Sequence, residues 1–200
     1  MVLVFDADGV VIHASDRFWT YLDQALEVPR QAVIEYFNGV FPDLLAGRGD
    51  IKEALAPVLP GWGWRGTVED FLNRWFVDES HVDDELIAII QDLRKQGYTC
   101  AVATNQEKYR LRYLKEQMGF DRLFDRVFGS ADVGDTKPHA GFYREVTARL
   151  GVEPHTIVFW DDKEENVVAA RACGWHAEQY TGRERFLSSL DRYLKGDITA

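Results

Sequence analysis

Three short runs of apolar residues, each followed directly by a polar side chain, constrain the fold of this chain most. They are residues 2–5 before Asp6, residues 100–103 before Thr104, and residues 156–160 before Asp161. Short continuous runs of Val, Ile, Phe and Trp are typical of strands buried on both faces, as in a parallel sheet. We therefore expect three central strands, and two further short strands at residues 127–129 and 175–177.

Helical spacing separates the later runs. Apolar residues recur every three or four positions in four segments, residues 83–96, 107–118, 142–150 and 166–172. A glycine follows each segment within two residues, and glycine commonly ends a helix. Strands that alternate with helices of this length predict an α/β fold, a doubly wound parallel sheet with right-handed crossovers.

Residues 13–82 interrupt this alternation, because they show several helical patterns and no clear strand. Ser15 is the expected N-cap of a first helix there, and Thr67 followed by Asp70 is expected to open a later one. Prolines and glycines mark turns between them. The sequence thus predicts two domains, an α/β core of residues 1–12 and 83–200 and a helical insertion of residues 13–82.

The chain of 200 residues carries 33 acidic and 23 basic side chains, a formal net charge of −10. This balance argues against nucleic acid and against a membrane surface as partners, because both attract clustered basic side chains. No apolar run approaches the roughly 18 residues of a membrane span. Two cysteines fit a reducing compartment, and the apolar start lacks the pattern of a signal peptide. We expect a cytoplasmic protein; the sequence leaves its oligomeric state open.

Polar side chains follow the predicted strands where such sheets bind ligands, at the carboxyl ends. Asp6, Thr104 and Asp161 each come directly after a strand, so we expect them to meet at one crevice. Asp8 and Asp162 lie beside them in sequence, and a glycine after Asp8 permits the turn that would bring Asp6 and Asp8 to one site. The alternative for these two is a strand end with two solvated acids.

A second group of residues could bind an anion at the same edge. Thr104 and Asn105 together could hold an oxyanion at the start of the next helix. The alternative is that one of them only caps that helix. Lys137, in the loop before the helix at residues 142–150, could join the same site.

Asp161 and Asp162 form the other notable pair. Two adjacent carboxylates repel each other unless a cation neutralises them, so they are candidate metal ligands. The alternative is a capping box between Asp162 and Glu165 that opens the following helix. Both interpretations can hold together.

The combination of these motifs, in this order, is far more specific than any one of them. It consists of Asp6-Ala7-Asp8-Gly9-Val10, Thr104-Asn105, Lys137-Pro138 and Asp161-Asp162-Lys163-Glu164-Glu165-Asn166-Val167. In this combination the chain resembles the haloacid dehalogenase-like (HAD) hydrolase superfamily. The insertion after the first motif resembles the small α-helical cap of that superfamily's first subclass, and the resemblance implies a Rossmann-like core.

The resemblance also implies a role for each site residue. Asp6 would be the nucleophile that forms an aspartyl-phosphate, and Asp8 the general acid and base. Thr104, the Asn105 region and Lys137 would hold the phosphoryl oxygens. The implied cofactor is Mg²⁺, with ligands from the Asp6 carboxylate, the Asp8 main-chain carbonyl, Asp162, and Asp161 directly or through water. A metal and backbone donors are expected to keep the pKa of Asp6 low.

The implied activity is hydrolysis of a small phosphate monoester, with a phosphorylated metabolite, for example a sugar phosphate, as substrate. Dehalogenases of the superfamily lack an acid two residues after the nucleophile, since a halide needs no proton; Asp8 therefore favours ester hydrolysis. The alternatives are a 2-haloacid dehalogenase and a non-catalytic protein that binds a phosphorylated ligand. Residues 41–50 and 62–64 are candidate pocket linings, although packing is the favoured role for Trp62 and Trp64.

Overall fold

The computed structural model of the protein describes residues 1–13 and 15–196. Its centre is one parallel sheet of five strands in the order β3-β2-β1-β4-β5. The strands are β1 (Val2–Phe5), β2 (Thr99–Thr104), β3 (Arg126–Gly129), β4 (Ile157–Asp161) and β5 (His176–Gln179). The predicted doubly wound parallel α/β sheet is confirmed, and each of the five expected strands overlaps an observed one.

The register of the three central strands aligns their carboxyl ends. Phe5 of β1 lies opposite Val102 of β2 and Trp160 of β4. The Asp6 amide continues the pairing by donating to the Trp160 carbonyl at 2.9 Å. Polar residues that follow these strands therefore meet at one edge of the sheet.

Helices cover both faces of the sheet, because alternate residues of each buried strand point to opposite sides. On one face, Leu3 and Phe5 pack in a cluster with Leu86 and Ile90; on the other, Val4 packs in a second cluster with Phe142. The helices outside the interruption are α5 (Asp84–Lys95), α6 (Lys108–Glu116), α7 (Phe120–Leu123), α8 (Ser130–Val133), α9 (Ala140–Leu150), α10 (Glu164–Ala172) and α11 (Arg183–Leu194).

Four helices lie between β1 and α5, and we call them the α1–α4 segment. They are α1 (Arg17–Ala25), α2 (Arg30–Leu45), α3 (Ile51–Leu55) and α4 (Val68–Asp78). Their buried residues, including Phe18, Phe71 and Trp75, form a hydrophobic cluster separate from those of the sheet. Trp62 and Trp64 pack against this cluster, as favoured from the sequence. The division into two domains stays a prediction.

The two expected helix starts in this segment differ in outcome. Thr67 and Asp70 form a complete capping box at the start of α4, so that prediction is confirmed. The Ser15 prediction misses the N-cap by one residue, because α1 begins at Arg17 with Asp16 as N-cap. Asp16 makes no side-chain cap, and the Ser15 hydroxyl accepts from the Arg17 amide at 3.3 Å. The same hydroxyl donates to the Asp78 carbonyl at 3.1 Å, which joins this helix start to the end of α4.

The helices also bear on the membrane question. Among residues 1–13 and 15–196, no helix combines the length and hydrophobicity that crossing a membrane requires. The longest, α2, has 16 residues and contains Pro42.

Candidate active site

The aligned strand ends open into a cavity of about 290 Å³. Asp6 lies at its base and is only 6% exposed. Thr104, Lys137 and Asp162 line the same cavity. Asp6 and Asp162 are 156 positions apart in the sequence, and the structure brings them to the same cavity. This agrees with the position of each motif directly after a strand.

Lys137 is the central cation of this site. Its buried Nζ lies 2.9 Å from Asp6 Oδ2 and 2.6 Å from Asp161 Oδ2. Burial works against the ammonium charge, but the two carboxylates outweigh it and raise the pKa of Lys137 above its usual value. The lysine therefore stays charged and connects the ends of β1 and β4.

Asn105 holds the backbone from which Lys137 projects. Its Nδ2 donates to the Lys137 carbonyl at 2.9 Å, and its Oδ1 accepts from the Lys137 amide at 2.9 Å. Both ends of the side-chain amide are thus engaged by one residue. The structure assigns this side chain to positioning Lys137, and the predicted contact of Asn105 with phosphate stays a prediction.

The alternative that Thr104 or Asn105 caps the next helix is wrong. Helix α6 begins at Lys108, and Glu107 is its N-cap. The Glu107 carboxylate accepts from the amides of Tyr109 and Arg110. The backbone after β2 therefore runs for three residues before the helix starts, and the buried Thr104 remains at the cavity.

Asp161 is fully buried and completely hydrogen-bonded. Its Oδ1 accepts from the Lys163 amide and from Asn166 Nδ2, and its Oδ2 accepts from Lys137 Nζ and Asn166 Nδ2. The capping box proposed for Asp162 and Glu165 does not form, since Lys163 is the N-cap of α10 and has no side-chain cap. The backbone amide of Lys163, directly before α10, donates instead to Asp161 Oδ1.

Three carboxylates are close enough to share a cation. Asp6, Asp161 and Asp162 each offer an oxygen within 4.8 Å of the others. Asp162 Oδ1 is buried and meets no hydrogen-bond donor within residues 1–13 and 15–196. Gly9, at φ +82°, passes so close that an added Cβ would lie 2.6 Å from Asp162 Oδ2. The side chain of Asp8 is not part of this group.

The protein groups alone do not keep Asp6 acidic. Burial raises the pKa of Asp6 to about 7, and the nearby Asp161 adds to this although Lys137 opposes it. Burial, with Asp161 second, also raises the pKa of Asp162. The donors on its side chain are the Ala7 amide and Lys137. The low pKa that is expected for Asp6 with a metal ion bound stays a prediction.

Asp8 lies at the cavity with more than half of its side chain exposed. Gln106 Nε2 donates to Asp8 Oδ2 at 2.6 Å, and the Arg110 guanidinium lies 4.0 Å from Oδ1. Sequence reasoning missed both partners. Gln106 directly follows the Thr104-Asn105 motif, which was a usable signal, whereas Arg110 is one of several charged residues on α6.

Arg110 also connects α6 to the α1–α4 segment. It is 7% exposed and donates to the carbonyls of Phe76 and Glu79 and to the Ser80 hydroxyl. These acceptors belong to the last turn of α4 and the residues after it. The side chain therefore satisfies the free carbonyls at that helix end, next to Asp8.

Glu79 is the third residue that sequence reasoning missed. It lines the cavity, and Trp75 Nε1 donates to its Oε2 at 2.7 Å. Its Oε1 is buried and has no hydrogen-bond partner in the part of the chain that the structure describes. Burial raises the pKa of Glu79 to about 7. A lone glutamate after an amphipathic helix carries no sequence signal for this position.

Comparison with known proteins places the whole arrangement in context. The sequence model of the haloacid dehalogenase-like hydrolases matches residues 1–174. A phosphoglycolate phosphatase from Haemophilus influenzae is 24% identical over 181 residues, which cover 85% of this chain and 80% of that one.

Solved structures share the fold. A HAD-like family hydrolase from Porphyromonas gingivalis superposes with a TM-score of 0.79 at 24% identity, covering 96% of each chain. A HAD family enzyme from Bacteroides thetaiotaomicron, solved with magnesium and inorganic phosphate, gives a TM-score of 0.75 at 18% identity, covering 90% of this chain and 94% of that one.

Proposed function

This chain belongs to the haloacid dehalogenase-like hydrolases, and we propose that it is a Mg²⁺-dependent phosphatase of small phosphate monoesters that works through an aspartyl-phosphate. One observation carries the proposal. The buried Asp6 carboxylate faces the cavity with Lys137 Nζ at 2.9 Å, and Asp8 lines the same cavity. A nucleophile, a cation for phosphoryl oxygens and a second acid are thus within one site.

The chemistry follows in two steps. A carboxylate oxygen of Asp6 attacks phosphorus, the bond from phosphorus to the alcohol oxygen breaks, and Asp8 gives its proton to that oxygen. Asp8 then takes a proton from water, the water oxygen bonds to phosphorus, and the bond to Asp6 breaks to release inorganic phosphate. Gln106 occupies Asp8 Oδ2, which leaves Oδ1 to carry the proton.

Thr104 and Lys137 are the groups that would bind the phosphoryl oxygens. The Thr104 Oγ1 accepts from Gln106 Nε2 at 3.3 Å, so its own hydrogen is available to a ligand. Lys137 is held on both sides by carboxylates, which fixes its ammonium before the substrate arrives. Such preorganised charge is the main contribution that a protein makes to phosphoryl transfer.

A divalent cation fits beside these groups. The three carboxylates and the unpartnered Asp162 Oδ1 form a set of hard oxygen donors, which suits Mg²⁺. Asp6, Asp162 and the Asp8 main-chain carbonyl would hold it. Asp161 would contact the ion through water, because protein donors already bind both of its carboxylate oxygens. When bound, the ion supplies positive charge against the phosphoryl oxygens and the crowded carboxylates.

The proposed domain division gives the α1–α4 segment a role as a cap over this cavity. Ser15 and Glu79, at the two ends of the segment, both line the cavity. A cap that closes would exclude water during the first step and admit it for the second. Specificity would then lie in the residues that the segment adds to the pocket.

A phosphate-release screen tests the proposal. The panel contains p-nitrophenyl phosphate, phosphoglycolate and sugar phosphates, each with and without Mg²⁺. We expect Mg²⁺-dependent release that falls by about 10⁴-fold or more in Asp6→Asn, as for other nucleophiles. Asp121→Asn, an exposed acid on α7, is the matched control and should behave like the wild type.

The same screen separates the alternatives. Undiminished phosphatase activity in Asp6→Asn would overturn the mechanism. Saturable binding of phosphorylated compounds without turnover would favour a non-catalytic protein. Halide release from a 2-haloacid, with no phosphate from any ester, would favour a dehalogenase. Asp8→Asn should impair alkyl esters more than p-nitrophenyl phosphate, since p-nitrophenolate leaves without a proton.

A further inference from the structure

A second cavity of about 320 Å³ adjoins the one that contains Asp6. Four residues line both cavities, Asp8, Glu79, Asn105 and Lys163. Under the proposed function, on which this inference rests, phosphorus lies at Asp6 and the alcohol oxygen at Asp8. The rest of the alcohol must therefore pass Asp8, and the second cavity is the space beyond it.

The α1–α4 segment gives this second cavity an apolar wall. Its contribution consists of Trp19, Phe41, Leu45, Trp75 and Phe76. The Trp75 ring contacts the rings of both Phe41 and Phe76. Phe41 and Leu45 fall within residues 41–50, which the sequence named as a candidate lining. A wall of this kind binds carbon skeletons and offers few partners to hydroxyl groups.

Three polar residues that line the second cavity, Gln106, Glu107 and Arg110, are already engaged. Gln106 donates to Asp8, and the Glu107 carboxylate accepts two backbone amides of α6. Arg110 donates to three acceptors around the end of α4. These groups are held by the protein itself, so they offer little to a ligand.

Glu79 differs from them. Trp75 Nε1 donates to its Oε2, and the buried Oε1 has no donor among the described residues. Glu79 as a residue lines both cavities. Arg110 donates to the Glu79 carbonyl and not to this carboxylate. An unpartnered buried acceptor is unfavourable, and a donor supplied by a ligand would remove that penalty.

We propose that the second cavity holds the alcohol portion of the substrate, and that this portion is an apolar skeleton with one hydrogen-bond donor, a hydroxyl or an ammonium group, that meets Glu79 Oε1. A terminal carboxylate fits poorly, because it brings no hydrogen-bond donor to Glu79 Oε1. A fully hydroxylated sugar also fits poorly, because the apolar wall leaves most of its hydroxyls without partners.

A series of alkyl monophosphates of one chain length tests this assignment. The esters end in a methyl, a hydroxyl, an ammonium or a carboxylate group, and a hexose phosphate completes the set. For the wild type we expect kcat/KM to be about tenfold or more higher for a donor-ended ester than for the methyl-ended and carboxylate-ended ones. The better of the hydroxyl and ammonium esters identifies the donor.

Glu79→Gln is the decisive variant, since it keeps an acceptor for Trp75 and turns the free oxygen into an amide donor. It should lower the ratio of kcat/KM for the donor-ended ester to kcat/KM for the methyl-ended ester by about tenfold to a hundredfold. Glu79→Asp keeps the carboxylate on a side chain that is shorter by one methylene, and it should reduce the preference for the donor-ended ester by less than Glu79→Gln does. Glu116→Gln, an exposed acid on α6, is the control and should leave this ratio unchanged.

Two results would overturn the assignment. One is a wild-type preference for the carboxylate-ended ester or the hexose phosphate, which would mean that Lys163 or Arg110, and not Glu79, binds the alcohol portion. The other is a donor preference that survives Glu79→Gln unchanged. In both cases, Asp6-dependent hydrolysis of p-nitrophenyl phosphate would show that the proposed phosphatase activity itself stands.

Discussion

Two lysine–aspartate ion pairs of this protein have similar lengths and opposite surroundings. Lys137 Nζ lies 2.6 Å from Asp161 at the sheet edge, where the two side chains are 1% and 0% exposed. Lys108 Nζ, on α6, lies 2.8 Å from Asp50 at the start of α3, where they are 42% and 22% exposed. The first pair belongs to the sheet edge that carries Asp6, and the second joins the α1–α4 segment to α6.

This difference in exposure indicates which of the two ion pairs can be broken at little cost in stability. Removing one partner of a buried pair leaves an uncompensated charge in a medium of low polarity, so the Lys137 cluster must stay intact. An exposed pair contributes little and can separate, because water solvates both charges. The Lys108–Asp50 pair can therefore separate at little cost, whereas the buried hydrogen bonds of Arg110 hold α6 to the end of α4.

The largest expected effect comes from breaking the buried cluster. Lys137→Met would leave Asp6 and Asp161 side by side without their cation, which should lower the free energy of unfolding by about 3–5 kcal/mol. Urea denaturation at pH 7 measures this. Lys95→Met, which removes a lysine that is 75% exposed and paired with Asp92, is the control and should change stability by less than about 0.5 kcal/mol. Equal effects of the two variants would contradict the comparison.

A smaller effect should follow from loosening the backbone behind Lys137. Asn105→Ala removes both hydrogen bonds to that residue and should cost about 1–3 kcal/mol of stability. The exposed Asn73 of α4 provides a matched control, Asn73→Ala. If Asn105 instead acts mainly by holding phosphate, inhibition by inorganic phosphate will weaken in Asn105→Ala while the urea midpoint stays unchanged.

The exposed pair should give the smallest effect and a distinctive pH dependence. Slight burial of Asp50 is outweighed by hydrogen bonds from Lys108 and Tyr109, which lower its pKa to about 2. The unfolded value is about 3.9, so the stabilisation is present above pH 4 and is lost as the pH falls toward 2. Asp50→Asn keeps an N-cap for α3 and should cost about 1 kcal/mol at pH 7.

Urea midpoints of Asp50→Asn and the wild type, measured from pH 7 down to pH 3, follow this loss. The gap between the two proteins should narrow below pH 4. A gap that stays constant over that range would mean that the ionised Asp50 carboxylate contributes nothing to joining α3 and α6.

The sheet edge that carries Asp6 was predictable from sequence because its signals are local. Each apolar run that ends at a polar residue marks a buried parallel strand, and parallel strands end together. Asp6, Thr104, Lys137 and Asp162 therefore reach one cavity as expected. The role of Asn105 was less accessible, since its partner is the backbone of a residue 32 positions away.

The residues around Asp8 could not be predicted in the same way. Glu79, Gln106 and Arg110 acquire their positions from the packing of α4 against α6, and packing of amphipathic helices leaves no short motif. Ser15 likewise contacts the carbonyl of Asp78, 63 positions away in sequence, and no local pattern indicates that contact. Local patterns thus predicted which residues meet at the sheet edge, whereas the surroundings of Asp8 required tertiary structure.

The central claim is that Asp6 becomes phosphorylated during turnover. Wild-type protein can be mixed with a phosphate ester and Mg²⁺, stopped within the first turnover, and reduced with borohydride, which converts an aspartyl-phosphate to homoserine. Peptide mass spectrometry then locates the modified position. The account predicts modification at residue 6, absent from Asp6→Asn and from protein mixed without ester. Rapid ester hydrolysis with residue 6 unmodified, or with the modification at Asp161 or Asp162, would contradict it.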